Sequence, residues 1–300
     1  MIFNYGKSLV RLPLDKDVPE FTLPVKHTDN TNKIEFDVVR GYIYWLHPEK
    51  RIIMRSLPDG KQFKIIKLQH ENISEHMQVL PHDFSLEPYS NTVYWTDERH
   101  NTINFYHLNT SLNGTVVQQS EKTKMYYPRK IAVFPMLGRM YWSSVQATHL
   151  GTSILSSNFA GTDIKNIKTF DWAMDILDLK IDFVDERIYW LEATHKTIFS
   201  ISIHGLNPRE YHSNHMHSPV SIGISGKYLY WAENPKGKKS KKIIYKSWKN
   251  NYTDDGVEFH ALDYELKNLK TVNMTQSNGM LLLLASEKSK VGFFSLDQQI

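Results

Sequence analysis

The stretch Thr92-Val93-Tyr94-Trp95-Thr96-Asp97 constrains the fold of this chain more than any other. It reads as a β-strand of β-branched and aromatic residues with a Thr-Asp step leading out of it. The Tyr-Trp pair returns as Ile43-Tyr44-Trp45, Met140-Tyr141-Trp142, Ile188-Tyr189-Trp190 and Leu229-Tyr230-Trp231. These five copies use five of the seven tryptophans, at steps of 50, 47, 48 and 41 residues. A self-similar period of that length, built from short strands, is the period of propeller blades.

Each copy has the same surroundings. Upstream lies a strand with alternating apolar positions, such as Lys130-Ile131-Ala132-Val133-Phe134 or Leu179-Lys180-Ile181-Asp182-Phe183, and then a tight turn. Downstream come a polar turn, a second β-branched strand such as Thr197-Ile198-Phe199-Ser200-Ile201, and a small turn. Those small turns are Asp59-Gly60, Asn113-Gly114, Ala160-Gly161-Thr162 and Gly205-Leu206-Asn207, and Gly and Asn tolerate the positive φ they need. One period therefore makes one up-and-down, four-stranded antiparallel sheet, and the chain is all-β.

In chain order, blades are expected at about 34–68, 83–117, 129–167, 176–211 and 220–259. Residues 1–26 read as repeat material without a first strand. The segment Leu269-Lys270-Thr271-Val272-Asn273-Met274 reads as a lone first strand. Together, 1–26 and 269–300 are expected to form a sixth blade, closing a six-bladed β-propeller by pairing its N- and C-terminal strands. Closure removes the free sheet edges that would otherwise pair with other chains. Met280–Ala285 and Lys290–Asp297 also resemble a second and third strand, and either complete that blade in place of 1–26 or open a following module.

The net charge of +4 is too small to mark a nucleic-acid binder. The absence of cysteine excludes disulfides and thiolate metal sites without settling the compartment. The opening Met1–Lys7 has no apolar run of signal-peptide length, which for an extracellular protein implies an excised module. Five Asn-x-Ser/Thr triplets, at Asn72, Asn109, Asn113, Asn251 and Asn273, lean toward a glycosylated extracellular protein.

Five Tyr-Trp strands in a shared register, one of them a full Tyr-Trp-Thr-Asp, resemble the YWTD propeller of the low-density-lipoprotein-receptor family. The run from Pro128-Arg129-Lys130-Ile131 to Met140-Tyr141-Trp142 carries the resemblance furthest, Leu179 to Trp190 carries it next, and Ile2-Phe3 to Leu14-Asp15 is similar to the family's N-terminal half-blade. Related propellers of sevenless/Ros-type receptor kinases fit the same residues. The Thr-Asp half survives only at Thr96-Asp97; elsewhere it is Leu46-His47, Ser143-Ser144, Leu191-Glu192 and Ala232-Glu233. The Asp is expected to bond the adjoining blade, so its loss implies weaker polar ties between blades.

The resemblance implies a protein-binding module of a cell-surface receptor, in the ectodomain of a single-pass membrane protein, beside neighbouring extracellular domains. Family members dock proteins on the face that collects the second-to-third-strand turns and the blade-to-blade loops. On that face this sequence offers Trp172, Tyr126 and Tyr127 with Glu49, Arg51, Glu98, Arg99 and His195. Exposed aromatics beside Arg have the composition of interface hot spots, whereas the Tyr-Trp pairs read as core. The turn Lys236–Lys242 holds five lysines, including Lys236 and Lys238, and suits an acidic segment or a sulfated glycan. His212, His215 and His217 share one loop; they permit a weak metal site or a pH switch, although no metal and no cofactor are expected.

No nucleophile elbow, His-Glu-x-x-His, phosphate loop or Gly-x-Gly-x-x-Gly is present. The rival readings are a calcium-dependent six-bladed hydrolase, for which the sequence does not place carboxylates such as Asp37, Asp83 and Asp182 in the channel, and a structural spacer between receptor domains.

Overall fold

A computed structural model describes residues 1–5, 7–14, 20–68, 78–119, 126–145, 151–235, 242–252, 255–262 and 266–271. The chain opens with β1 (Ile2–Tyr5), β2 (Ser8–Arg11) and β3 (Phe21–Leu23). Blade one is β4 (Lys33–Phe36), β5 (Ile43–His47), β6 (Ile52–Ser56) and β7 (Lys64–Lys67). Blade two is β8 (Pro81–Glu87), β9 (Thr92–Asp97), β10 (Thr102–His107) and β11 (Asn113–Gln118). Blade three is β12 (Tyr126–Phe134), β13 (Arg139–Val145), β14 (Thr152–Asn158) and β15 (Lys165–Phe170). Blade four is β16 (Ile176–Asp182), β17 (Arg187–Glu192), β18 (Thr197–Ser202) and β19 (Arg209–Tyr211). Blade five is β20 (Pro219–Ser225), β21 (Tyr228–Glu233), β22 (Lys242–Trp248) and β23 (Val257–Leu262), and β24 (Leu266–Lys270) follows it.

These strands form six four-stranded antiparallel sheets, and the sixth has the order β24-β1-β2-β3. The two ends of the chain therefore share one blade. The closing strand lies earlier than 269–274: Ile2 pairs with Lys270 and Tyr5 with Leu266, across a bulge. The 280–285 and 290–297 segments lie outside the described residues. The first strands β4, β8, β12, β16, β20 and β24 touch one another in cyclic order, which makes them the inner wall of a ring.

Why the repeat is a pair of aromatics follows from strand geometry. Successive side chains point to opposite faces of a sheet, so adjacent Tyr and Trp enter different gaps between blades. Tyr44, Tyr94, Tyr141, Tyr189 and Tyr230 pack toward the next blade, and Trp45, Trp95, Trp142, Trp190 and Trp231 toward the previous one. All ten are at most 6% exposed, as the core reading requires. In the sixth blade Ile2 and Phe3 take the same two places. There are six such apolar clusters, one per gap, in place of a single central core. The polar tips are used unevenly: Trp45 Nε1 donates to His27 O at 2.9 Å, whereas the indole N–H groups of Trp142, Trp190 and Trp231 have no partner among the described residues.

The outer turns of blades one, three and four fit each of these blades to the previous one. Gly161, between β14 and β15, has φ +74°, and a Cβ there would stand 2.0 Å from Val116 O on β11. Gly60 and Gly205 approach Pro24 O and Ile167 O of the preceding blade in the same way, at 2.4 and 2.5 Å. The inner turns are capped by carboxylates. Asp37 accepts the N–H groups of Val39 and Arg40 at 2.9 and 3.0 Å, and Asp182 those of Val184 and Asp185 at 3.0 and 3.3 Å. Both therefore serve hairpin turns, and of the three carboxylates of the hydrolase reading only Asp83 stands on the inner wall away from a turn.

Candidate ligand-docking face

The face of interest is built from the turns after β5, β9, β13, β17 and β21 together with the loops joining one blade to the next. Its loops are held by the residues that occupy the Thr-Asp position. Asp97 Oδ1 accepts the N–H groups of Leu80 and Arg99, both at 3.0 Å, and Asp97 Oδ2 lies 2.6 Å from His100 Nδ1. These bonds cap the turn and the entry loop of blade two itself. Thr96 crosses: its hydroxyl donates to Arg129 O of blade three at 2.7 Å.

Glu192 caps the equivalent turn in blade four. It accepts the N–H groups of Thr194 at 3.0 Å, His195 at 2.6 Å and Asp175 at 3.3 Å. Burial pushes this carboxyl up, but the His195 and Thr194 donors outweigh it and hold the group below its usual range. Glu233 accepts from His217 and Ser218 at 3.0 and 2.6 Å through Oε2 alone. Its Oε1 is buried without a partner, and burial pushes the carboxyl up to about 7. In blade four a longer carboxylate thus does the work of the Asp, and in blade five Glu233 holds the entry loop; blades one and three carry His47 and Ser144 at that place.

The ties between blades come from elsewhere. Asp83 Oδ2 accepts Ile131 N at 3.1 Å, Ser85 Oγ accepts Val133 N at 3.2 Å, and Asp178 Oδ2 accepts Ile222 N at 3.1 Å. Each crosses from one inner strand to the next.

Trp172 lies in the loop from blade three to blade four. It meets Phe170 edge-on at 5.2 Å and is still 47% exposed. Three residues later in that loop, Asp175 lies 4.0 Å from Arg129, which in turn donates to Glu98 at 3.0 Å. This Glu98–Arg129–Asp175 chain spans blades two, three and four. Arg129 and Asp175 escaped the sequence reading of the site; the only signal for Arg129 was its place in the Pro-Arg-Lys-Ile run.

Arg99 is exposed and donates to Gln78 O at 2.9 Å, and Glu49 is exposed and accepts from Asn30 at 3.4 Å. Arg51 is partly buried in its turn with φ +54°. The His195 side chain is 58% exposed and its Nδ1 lies 3.0 Å from Glu192. Tyr127 is partly buried with φ +42°, its N–H donating to Asn101 at 2.7 Å, so it is not the exposed aromatic expected. The side chain of Tyr126, Lys236, Lys238 and the rest of 236–241 lie outside the described residues; Lys242 Nζ donates to Pro235 O at 3.4 Å.

The three loop histidines take separate partners. His212 lies between Thr197 at 3.2 Å and Glu210 at 3.3 Å, His215 stacks on Tyr245 at 4.9 Å, and the His217 N–H bonds Glu233. Among the described residues no group of three His, Cys, Asp or Glu side chains could hold a metal ion. Of the triplet asparagines, Asn109 and Asn113 flank the turn between β10 and β11, and Asn251 lies in the turn between β22 and β23, all on the opposite face. Asn109 and Asn251 are exposed and Asn113 is partly buried. Asn72 and Asn273 lie outside the described residues.

No family model matches the chain. The chain is 30% identical over 234 residues to mouse low-density lipoprotein receptor-related protein 5 and 28% identical to the human protein. Each match covers 78% of this chain and 14% of the relative, so the chain spans about a seventh of those receptors. The vitellogenin receptor of Solenopsis invicta is 26% identical over 147 residues, 47% of this chain and 7% of the receptor. Among solved structures, a chain of the nidogen/laminin complex superposes with a TM-score of 0.68 at 17% identity, over 90% of this chain and 96% of that one. Virginiamycin B lyase from Staphylococcus aureus superposes at 0.57 with 16% identity, over 86% and 84%. At these identities the two structures show the fold alone. The five Tyr-Trp strands, the closed six-bladed ring and the receptor relatives together make this chain a YWTD β-propeller of the lipoprotein-receptor type.

Proposed function

We propose that the chain is a non-catalytic, ligand-binding propeller in the extracellular part of a single-pass receptor. It docks a protein on the face that carries Trp172. The observation that carries this reading is the exposed Trp172 on the loop that also supplies Asp175 to an ion-pair chain joining Glu98, Arg129 and Asp175 across three blades. A large exposed aromatic on the same loop face as an Arg has the make-up of a binding hot spot. The placement of Asn109, Asn113 and Asn251 supports it, because glycans there would leave the Trp172 face clear. The receptor relatives support it as well. The lysines of 236–242 add a docking point for an acidic segment or a sulfated glycan.

The donor set of the described residues speaks against the hydrolase reading. Asp83, the carboxylate left on the inner wall, already accepts Lys33 Nζ at 3.2 Å and two backbone N–H groups.

The test is a binding screen of the purified chain against secreted proteins. A ligand whose affinity drops about tenfold or more in Trp172→Ala and Arg129→Ala is expected. Ligands indifferent to both variants would refute the docking face. For the lysine turn, affinity for heparin should fall steeply between about 0.05 and 0.5 M salt.

A second reading, a spacer braced by a neighbouring domain, is favoured by one observation. Val39, Met136, Leu137 and Val184 are exposed in the inner turns of blades one, three and four, on the opposite face. It predicts that Met136→Ser with Val184→Ser loosens the neighbouring domain while ligand binding is kept.

A further inference from the structure

The inner strands place charged groups in register around the channel. Lys33, Asp83, Asp178 and Ser221 each stand opposite the residue that follows the Trp of their blade. Lys130 precedes Ile131, the partner of Trp142, and so holds that place in blade three. Round the ring the order is Lys, Asp, Lys, Asp, Ser. Glu35 and Lys180 stand opposite the Tyr of their blades, and Lys270 stands opposite Ile2, which takes the Tyr place in the sixth. These groups share one electrostatic environment: Asp178 of blade four acts on Lys33 of blade one, directly across the ring, and Lys33 and Lys270 act on Lys180.

Among the described residues four lysines thus face three carboxylates, and the carboxylates are largely committed. Asp83 accepts Phe84 N at 2.8 Å, Ile131 N at 3.1 Å and Lys33 Nζ at 3.2 Å. Asp178 accepts Leu179 N at 3.0 Å, Ile222 N at 3.1 Å and the Ser221 hydroxyl. Glu35 pairs with Lys270 and lies 3.9 Å from Lys33. Two cations are left under-served. Lys180 Nζ lies 3.1 Å from Asp178 but is buried without a hydrogen bond, and Lys130 Nζ has no ion pair among the described residues. Burial, with Lys33 and Lys270, lowers Lys180 to about 8, against the pull of Asp178. Lys130, partly exposed and without an ion pair among the described residues, and Lys180, whose ion pair is with Asp178, leave donor capacity that the acceptor oxygens of an oxyanion would fill.

We propose that the channel is a binding site for a small inorganic oxyanion, phosphate or sulfate, held between Lys130 and Lys180 with Lys33 behind them. Such an ion carries enough acceptor oxygens for all three ammonium groups. The ion would join blades one, three and four through the axis, where the described protein–protein ties run only between neighbours.

The experiment is a calorimetric titration of the chain with inorganic phosphate and with sulfate, at ionic strength held constant with chloride. Saturable binding with one ion per chain is expected, and Lys130→Met and Lys180→Met should each weaken it about tenfold or more. Lys61→Met, at a side chain 79% exposed, should leave it unchanged and so separates site binding from the general stabilising action of these salts. No saturable heat with the wild-type chain, or equal affinity in both channel variants, would overturn the proposal and leave the channel to water. If a channel variant does not fold, crystals of the wild-type chain soaked in selenate decide the matter. An anomalous peak beside Lys130 and Lys180 supports the site, and a featureless channel removes it.

Discussion

Asp178 on β16 accepts the backbone N–H of Ile222 on β20 at 3.1 Å, one blade further round the ring. Asp83 does the same for Ile131 at 3.1 Å, two blades earlier. Each acceptor stands one residue before the partner of its own Trp, and each donor is itself the partner of the next Trp engaged, Trp142 or Trp231. The inner strands cannot pair edge to edge, so a side-chain carboxylate supplies the acceptor that a ladder would have given.

Removing that acceptor should be expensive. Asp178→Ala orphans Leu179 N, Ile222 N and the Ser221 hydroxyl beside the Lys180 charge, and is expected to cost about 3 kcal/mol or more in urea unfolding. Asp178→Asn keeps an acceptor and should cost less. Burial pushes the Asp178 carboxyl up, but Lys180, Lys33 and Ser221 outweigh it and hold it below 3.8. Its folded value is therefore depressed, and its contribution is present above the ordinary value and lost as the pH falls through the folded one. A pH-independent cost of Asp178→Asn down to strongly acid pH would contradict this.

Glu233 should behave in the opposite sense. Its folded value is raised from 4.5 to about 7, so between these values the folded chain binds the extra proton and stability falls as pH rises. Glu233→Gln is expected to raise the melting temperature at pH 8, with a gain on the order of 2 kcal/mol, and to match the wild type near pH 5. A variant less stable than wild type at pH 8 would show that Oε2 needs its charge to hold the His217 and Ser218 donors.

Two glycines separate backbone strain from packing between blades. Gly138 and Gly161 both have positive φ, at +59° and +74°, but only Gly161 faces a neighbour, Val116 O at 2.0 Å from an added Cβ. Gly138→Ala should cost about 1 kcal/mol from its left-handed backbone alone. Gly161→Ala should cost clearly more in the same denaturation series, because blade three must back away from blade two. Equal costs would mean that the outer turn does not fit the blades together.

The Thr-Asp step offers a direct exchange. Asp97→Glu should be tolerated, since Glu192 already caps the equivalent turn in blade four, whereas Asp97→Ala leaves Leu80 N and Arg99 N without their acceptor and should cost about 1–2 kcal/mol. Thr96→Val, which loses the bond to Arg129 O, tests the tie between blades at the same place. Opposite rankings of Asp97→Glu and Asp97→Ala in thermal melts would refute the capping role.

The sequence alone determined the blades and the ring. A strand alternates its two faces, so a Tyr-Trp pair repeated at blade length already says that every sheet is buried on both sides, and local chain geometry is enough to read it. Trp172 could be placed on the loop face for the same reason. What only the tertiary structure decided is which charges meet. Lys33, Asp83, Lys130 and Asp178 lie about fifty residues apart in sequence and become neighbours only when six inner strands close on one axis. Asp97, the best-marked polar residue of the repeat, caps its own turn, a role its letter alone did not announce. A hydrogen bond depends on the direction and depth of both partners, and a repeat motif carries only its own half of that information.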